Sequence, residues 1–304
     1  MSSTVTVVCW NQENNGKGDP ARRRASHEKL KSLGADVVFR QEMWDAGAHG
    51  KQIFSGLEEI LGLRGELGPK SCTALFFNPD KFAVVRDWDE GLGPAWVLPP
   101  TARTMRYLPA GRDSQPIVMV SYHLAYGSSS QRLTESEWLT TFADKSVPTP
   151  DGPPAKLAAL IGGDNNSYPV PGTPGDPALP ALEKIKDRPH RLHRSYLGPD
   201  GIRRMDDRPD DVLRTAGLED VARYWATAPQ GSVTAVARTV NACDTYGPDS
   251  RIDRVYATPQ LLPALRDVDV IEVDEDMSDH HIVRVRFDTD ALADILRAAA
   301  VPLT

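Results

Sequence analysis

Short apolar runs separated by polar breaks recur along the whole chain. "TVTVVCW" (Thr4 to Trp10), "DVVFRQE", "QPIVMVSYHLA", "KLAALIGGDNN", "RIDRVYAT" and "HHIVRVRF" are rich in β-branched residues and bounded by Gly, Pro, Asp or Asn, so they read as strands. "TALFFNPDKFAVVRDW" reads as a hairpin with Asn78-Pro79-Asp80 at its turn. Helical spacing marks "DPARRRASHEKLKSLGA", where Ala25, Leu30 and Leu33 make a stripe that ends at Gly34. "SGLEEILGL", "SQRLTESEWLTTFADK" and "DALADILRAAA" read as further helices. Many strands with few intervening helices predict two packed sheets flanked by helices.

From Asp164 to Arg214 charges are dense and apolar periodicity is sparse. Residues 165–214 therefore read as a long loop inserted into one domain spanning 1–304, because strands resume beyond it and no second core pattern follows. Loops of that length are functional or disordered. No repeat of fixed period is present.

Composition narrows the class. The chain has 304 residues, 40% of them hydrophobic and 25% charged, enough for a sizeable core. A net charge of -7 counts against charge-driven binding over the whole surface to nucleic acid or anionic membrane. It leaves room for a local basic groove. The opening "MSSTVTVVCWNQENN" has no basic segment followed by an apolar run, and no apolar stretch is long enough to span a bilayer. Cys9, Cys72 and Cys243 have no metal-ligand spacing and read as reduced thiols. A cytoplasmic protein without membrane insertion or an obligate protein partner is expected.

The polar residues at strand ends carry the chemistry. Residues two apart share a face of a strand. On that count Cys9, Asn11 and Glu13 point together, as do Val38, Arg40 and Glu42. So do Ser121 and His123, Asp164 and Asn166, and Arg251 and Asp253. Five such endings, plus Asp279-His280, predict strand ends converging on one polar site. Carboxylates with amides and imidazoles, and no thiolates, suit a hard divalent cation such as Mg²⁺. A histidine paired with an aspartate keeps a fixed tautomer and can move a proton or stabilise charge.

"CWNQE", "VVFRQE", "SYHL", "GGDNN", "SRIDRV" and "SDHHIV", in this order and rough spacing, resemble the endonuclease/exonuclease/phosphatase superfamily, with its DNase I-like fold, from about Val5 to Phe287. The resemblance implies a four-layer α/β/β/α sandwich of two mainly antiparallel sheets, and a Mg²⁺-dependent phosphoesterase for which Mn²⁺ can substitute. It implies Glu42 as the main metal-binding carboxylate, Asn11 as its neighbour, and Asp279 as a second metal-side acid. Asp164 would position or deprotonate the attacking water, and Asn166 would hold a phosphate oxygen or orient Asp164. His280 would be the family histidine, oriented by Asp253. His123 matches the branch with a histidine on that strand; the glutamate that partners it in relatives is replaced here by Ser71.

Plainer readings stand beside these. Asn11 and Asp253 also suit structural hydrogen bonding, and Glu13 is either a ligand or a solvated acid. Arg40, where the family is usually apolar, could reach a carboxylate or a phosphate, or lie in a buried ion pair. Arg251 is a further substrate-binding candidate. Lys184, Arg191 and Arg194, in "KIKDRPHRLHR", could grip a polyanion or be dispersed surface charge. Trp10 and Trp44 read as packing. Three functions follow: a nuclease acting on DNA or RNA, a phosphatase or phosphodiesterase of a small metabolite, lipid headgroup or inositol phosphate, and an inactive binding module. The module would need missing ligands, and the set is complete.

Overall fold

The computed structural model describes residues 3–88, 95–148 and 153–299. Its strands are β1 (Thr4–Asn11), β2 (Val37–Gln41), β3 (Arg64–Leu67), β4 (Thr73–Phe77), β5 (Phe82–Asp87), β6 (Thr101–Tyr107), β7 (Ile117–His123), β8 (Ser146–Val147), β9 (Ala155–Lys156), β10 (Ala158–Asp164), β11 (Ser195–Leu197), β12 (Arg203–Met205), β13 (Glu219–Asp220), β14 (Asp253–Ala257), β15 (Leu265–Ile271) and β16 (Ile282–Asp288). They form two six-stranded sheets, ordered β15-β16-β1-β2-β4-β3 and β13-β14-β10-β7-β6-β5, and two small hairpins. Each large sheet holds one parallel pair, β1–β2 and β7–β10; its other pairs are antiparallel.

Alternation along the strands builds the layers. Val5, Val7, Cys9 and Phe39 face Met119, Leu160 and Val255 in the core between the sheets. The opposite residues, Val8, Trp10 and Val38, pack under the helices Pro20–Ser32 and Ala48–Leu61 through Leu30, Phe54 and Leu57. On the other sheet Val118, Val120 and Tyr122 pack under Leu139 and Leu213 of the helices Ser129–Thr140 and Arg208–Thr215. The result is the four-layer α/β/β/α sandwich.

Helix starts follow the capping chemistry. Asp19 accepts from Ala21 N ahead of Pro20, Ser128 from Gln131 N, and Asp288 from Asp290 N and Ala291 N. The last of these opens the terminal helix Thr289–Ala298; Ala300 of the predicted helix lies outside the described residues. Among the described residues no helix is long and apolar enough to cross a membrane.

The predicted hairpin is a correction. Asn78 does make the turn, its side-chain oxygen accepting from Asp80 N at 3.0 Å. However, β4 is already flanked by β2 and β3, so it has no free edge for β5. The turn instead carries the chain across the sandwich, with Phe77 and Phe82 both in the inter-sheet core. β15 escaped the pattern because its charges belong to a cross-strand ladder: Asp269 pairs with Arg284 at 2.7 Å, and Asp267 with Arg286. Residues 165–214 are not an open loop. They hold the helix Arg188–His193, the hairpin β11–β12 and all but the last residue of the helix Arg208–Thr215. Polar groups rather than an apolar stripe tie them down: Asp206 to Arg132 at 2.8 Å, and Asp210 to the Tyr256 hydroxyl at 2.7 Å.

Candidate active site

The two parallel pairs decide where the polar residues meet. Parallel neighbours end at the same edge, so β1 and β2 deliver Asn11 and Glu42 together, and β7 and β10 deliver His123 opposite Asp164. Their antiparallel neighbours start at that edge, where Asp253 pairs with Asp164 and His280 precedes β16. One Asn11 amide nitrogen lies 3.1 Å from both Glu42 Oε1 and Asp164 Oδ2, joining the sheets.

Strict alternation misassigns β2. Val38 and Arg40 face the helices, and Gln41 faces inward, donating to Ser121 Oγ at 3.0 Å. Glu42 reaches the site because its φ of 56° turns it out of the strand. Its Oε2 then accepts from Asn14 N at 2.6 Å. Asn166 makes a similar turn, with φ of 48°; its backbone N–H donates to Asp164 Oδ1 at 2.7 Å and its amide to Leu124 O at 3.0 Å.

Around Asp164 the second oxygen faces two imidazoles, His123 Nε2 at 3.4 Å and His280 Nε2 at 3.9 Å. Asp253 Oδ2 stands 2.8 Å from His280 Nδ1, and Asp253 is fixed through its N–H to Thr239 Oγ1. Trp10 packs in the core and its indole N–H holds His280 O at 2.9 Å. His123 Nδ1 is buried without a hydrogen-bond partner among the described residues, so Ser71 does not replace the relatives' glutamate. Glu13 is paired to Lys17 and Arg22 at the rim.

Electrostatics follows from burial opposed by these neighbours. Burial would depress His280, but the Asp253 charge and hydrogen bond outweigh it and raise the imidazole to about 10. Burial also opposes protonation of His123, yet Asp164 pulls it upward. Asp164 is buried as well, and His123 and His280 hold it well below the usual carboxylate range. Asp279 is raised, first by burial and then by Glu13 and Glu42.

Glu13, Glu42, His123, Asp164, Asp279 and His280 line a cleft of about 390 Å³, while Asp253 reaches it only through His280. Of the basic candidates, Arg194 lines it; Arg40, Arg251, Lys184 and Arg191 do not. Arg40 is buried against Trp10, bonded to Gln12 and Gln41 O, and Arg251 forks onto Asp176 with a second bond to Asp220. Sequence reasoning missed His190, His193, Tyr126 and Tyr246, whose rings touch in succession along the cleft. The only signal was the i, i+3 histidine spacing in "PHRLH".

No protein-family model and no curated protein matches the chain. Solved structures do. An AP endonuclease from Archaeoglobus fulgidus is 16% identical, with a TM-score of 0.62 over 93% of this chain and 99% of that one. The chain has the DNase I-like fold. An endonuclease/exonuclease/phosphatase protein from Bacteroides vulgatus is similar at 15% identity and a TM-score of 0.58, over 93% and 98% of the two chains. D. rerio TDP2, complexed with a single-strand DNA product, aligns at 12% identity and a TM-score of 0.56, over 94% and 99%.

Proposed function

We propose that this protein is a divalent-metal-dependent phosphoesterase that hydrolyses phosphodiester bonds in nucleic acid. The observation that carries this reading is the buried Asp164 carboxylate, set beside two imidazoles and bridged through Asn11 to Glu42. Such a carboxylate is a weak base, so Asp164 orients the attacking water as a hydrogen-bond acceptor, and Asn166 keeps it aimed. His123 and His280 bring positive charge to where phosphoryl oxygens become more negative in the transition state. Pre-set groups of this kind are worth about 10²–10³ in rate each. Asp253 holds His280 Nδ1–H and so leaves Nε2 facing the reaction.

The acidic side of the cleft fits a hard cation. Asn11 Oδ1 and Asp279 Oδ1 are buried with no hydrogen-bond partner among the described residues; Glu42 accepts from the Asn11 amide and its charge acts on Asp279. Asp164, Asp253 and His280 also cluster closely, but the His280–Asp253 contact is a hydrogen bond whose proton a cation would displace. Glu42, Asp279 and Asn11 would therefore hold Mg²⁺, or Mn²⁺ in its place. Bound there, the ion would supply charge neutralisation of the phosphate and a lowered water pKa.

Two structural neighbours, an AP endonuclease and a TDP2 complexed with single-strand DNA product, support the nuclease reading. The cleft volume supports a second one, a small phosphoester, because about 390 Å³ falls within the range of small-molecule sites. Supercoiled plasmid incubated with the protein separates them. Nicking that needs Mg²⁺, stops in EDTA and is lost in Asp164→Asn supports the nuclease. An intact plasmid with metal-dependent phosphate release from small esters moves the conclusion to the second reading, and neither activity from folded protein sinks both.

A further inference from the structure

Buried arginines in this protein have partners. Arg132 is paired with Asp206 at 2.8 Å, Arg251 with Asp176 and Asp220, and Arg254 donates to Ser167 O and the Tyr256 hydroxyl. Arg194 is different. It is 8% exposed, and among the described residues its side chain makes no hydrogen bond and no ion pair, with Nη1 itself buried. Its guanidinium lies over the Tyr246 ring, 5.8 Å from the centroid, and its charge helps keep Asp164 ionised.

The backbone holds this side chain in place. Arg194 N–H donates to His190 O at 2.9 Å, and Arg194 O accepts from Asp206 N at 3.0 Å, while Asp206 is itself locked to Arg132. A guanidinium that lines a cleft with no hydrogen bond or ion pair of its own keeps its donors free for an arriving anion. It points into the same cleft as Asp164, His123 and His280.

We infer that Arg194 binds the non-bridging oxygens of the substrate phosphate, so that the inserted segment 165–214 supplies the substrate-gripping half of the site. The inference rests on the phosphoesterase reading for the identity of the substrate. Its fork of donors matches two phosphate oxygens at once, which a lysine cannot reproduce. The Tyr246 ring, together with the tethered backbone, sets its direction before substrate arrives.

Inorganic phosphate tests this without turnover. Its dissociation constant for the metal-free full chain in EDTA is measured by calorimetry for wild type, Arg194→Gln, Arg194→Lys and Lys184→Ala, the last an exposed cation away from the cleft. Arg194→Gln should weaken phosphate by roughly tenfold or more, Arg194→Lys by less, and Lys184→Ala not at all. Cleavage, read separately, should fall about 10²-fold or more in Arg194→Gln and recover in part on adding guanidinium. Unchanged phosphate affinity in a folded Arg194→Gln protein would overturn the inference even if cleavage falls. Arg194-dependent phosphate binding with no cleavage of any phosphoester would keep Arg194 as a phosphate ligand and sink the phosphoesterase reading instead.

Discussion

His280 Nδ1 and Asp253 Oδ2 stand 2.8 Å apart in a pocket where both side chains are at least nine-tenths buried. The carboxylate sits at the first residue of β14 and the histidine just before β16, so two different sheets contribute to one hydrogen bond. That pair keeps the imidazole charged across neutral pH.

In the metal-free protein His280 should therefore titrate near 10, and Asp253→Asn should return it toward the ordinary histidine value. Imidazole nitrogen shifts followed by NMR read this directly. A normal value in the wild type would refute the ion pair. The same substitution should cost about 10²–10⁴ in turnover, because a mis-set tautomer no longer faces Asp164.

Metal addition should raise the melting temperature of the wild type, because ligand binding to the folded state alone adds stability, about 2.7 kcal/mol at a hundred times Kd. Glu42→Gln and Asp279→Asn should each reduce that response. A full Mg²⁺-induced rise in both variants would move the cation away from these carboxylates.

Arg132 and Asp206 are both fully buried and joined by two hydrogen bonds. Removing one partner leaves a bare charge in the interior, so Asp206→Ala should cost about 3–5 kcal/mol in urea unfolding. Cleavage should fall as well, since the same carboxylate anchors the segment bearing Arg194. A loss below 1 kcal/mol, roughly the worth of an exposed pair, would show that water reaches the pair.

His27 sits buried on the helix Pro20–Ser32, its Nδ1 2.8 Å from Arg23 O and its Nε2 without a hydrogen-bond partner among the described residues. Burial and the nearby Arg40 charge push it down to about 3, from 6.5. The unfolded chain then binds a proton that the folded one refuses. Stability is retained above about pH 6.5 and falls as pH drops toward 3. His27→Gln should flatten that part of the stability curve, and an unchanged slope would contradict the burial argument.

Much of the candidate site was legible because strand ends are local events. The terminal polar residues of "WNQE", "FRQE", "SYHL", "GGDNN" and "SDHH" needed only a periodicity and a break to be noticed. Apolar alternation and capping chemistry likewise delimit β1, β2, β7, β10, β16 and the helices, since each depends on neighbours within a few residues. Arg40 shows the limit. Counting by twos placed it beside Glu42, but one left-handed residue separates their faces.

What sequence alone determined is the set of elements and the chemical types at their ends. Tertiary structure decided the rest, because pairing between distant strands has no local signature. The parallel pairs β1–β2 and β7–β10 put Asn11, Glu42, His123 and Asp164 at one edge, and β4 lacking a free edge sent β5 to the other sheet. The fate of each arginine was decided the same way. Arg132, Arg251 and Arg194 look alike in the sequence, and only packing gives the first two a buried carboxylate and leaves the third facing the cleft.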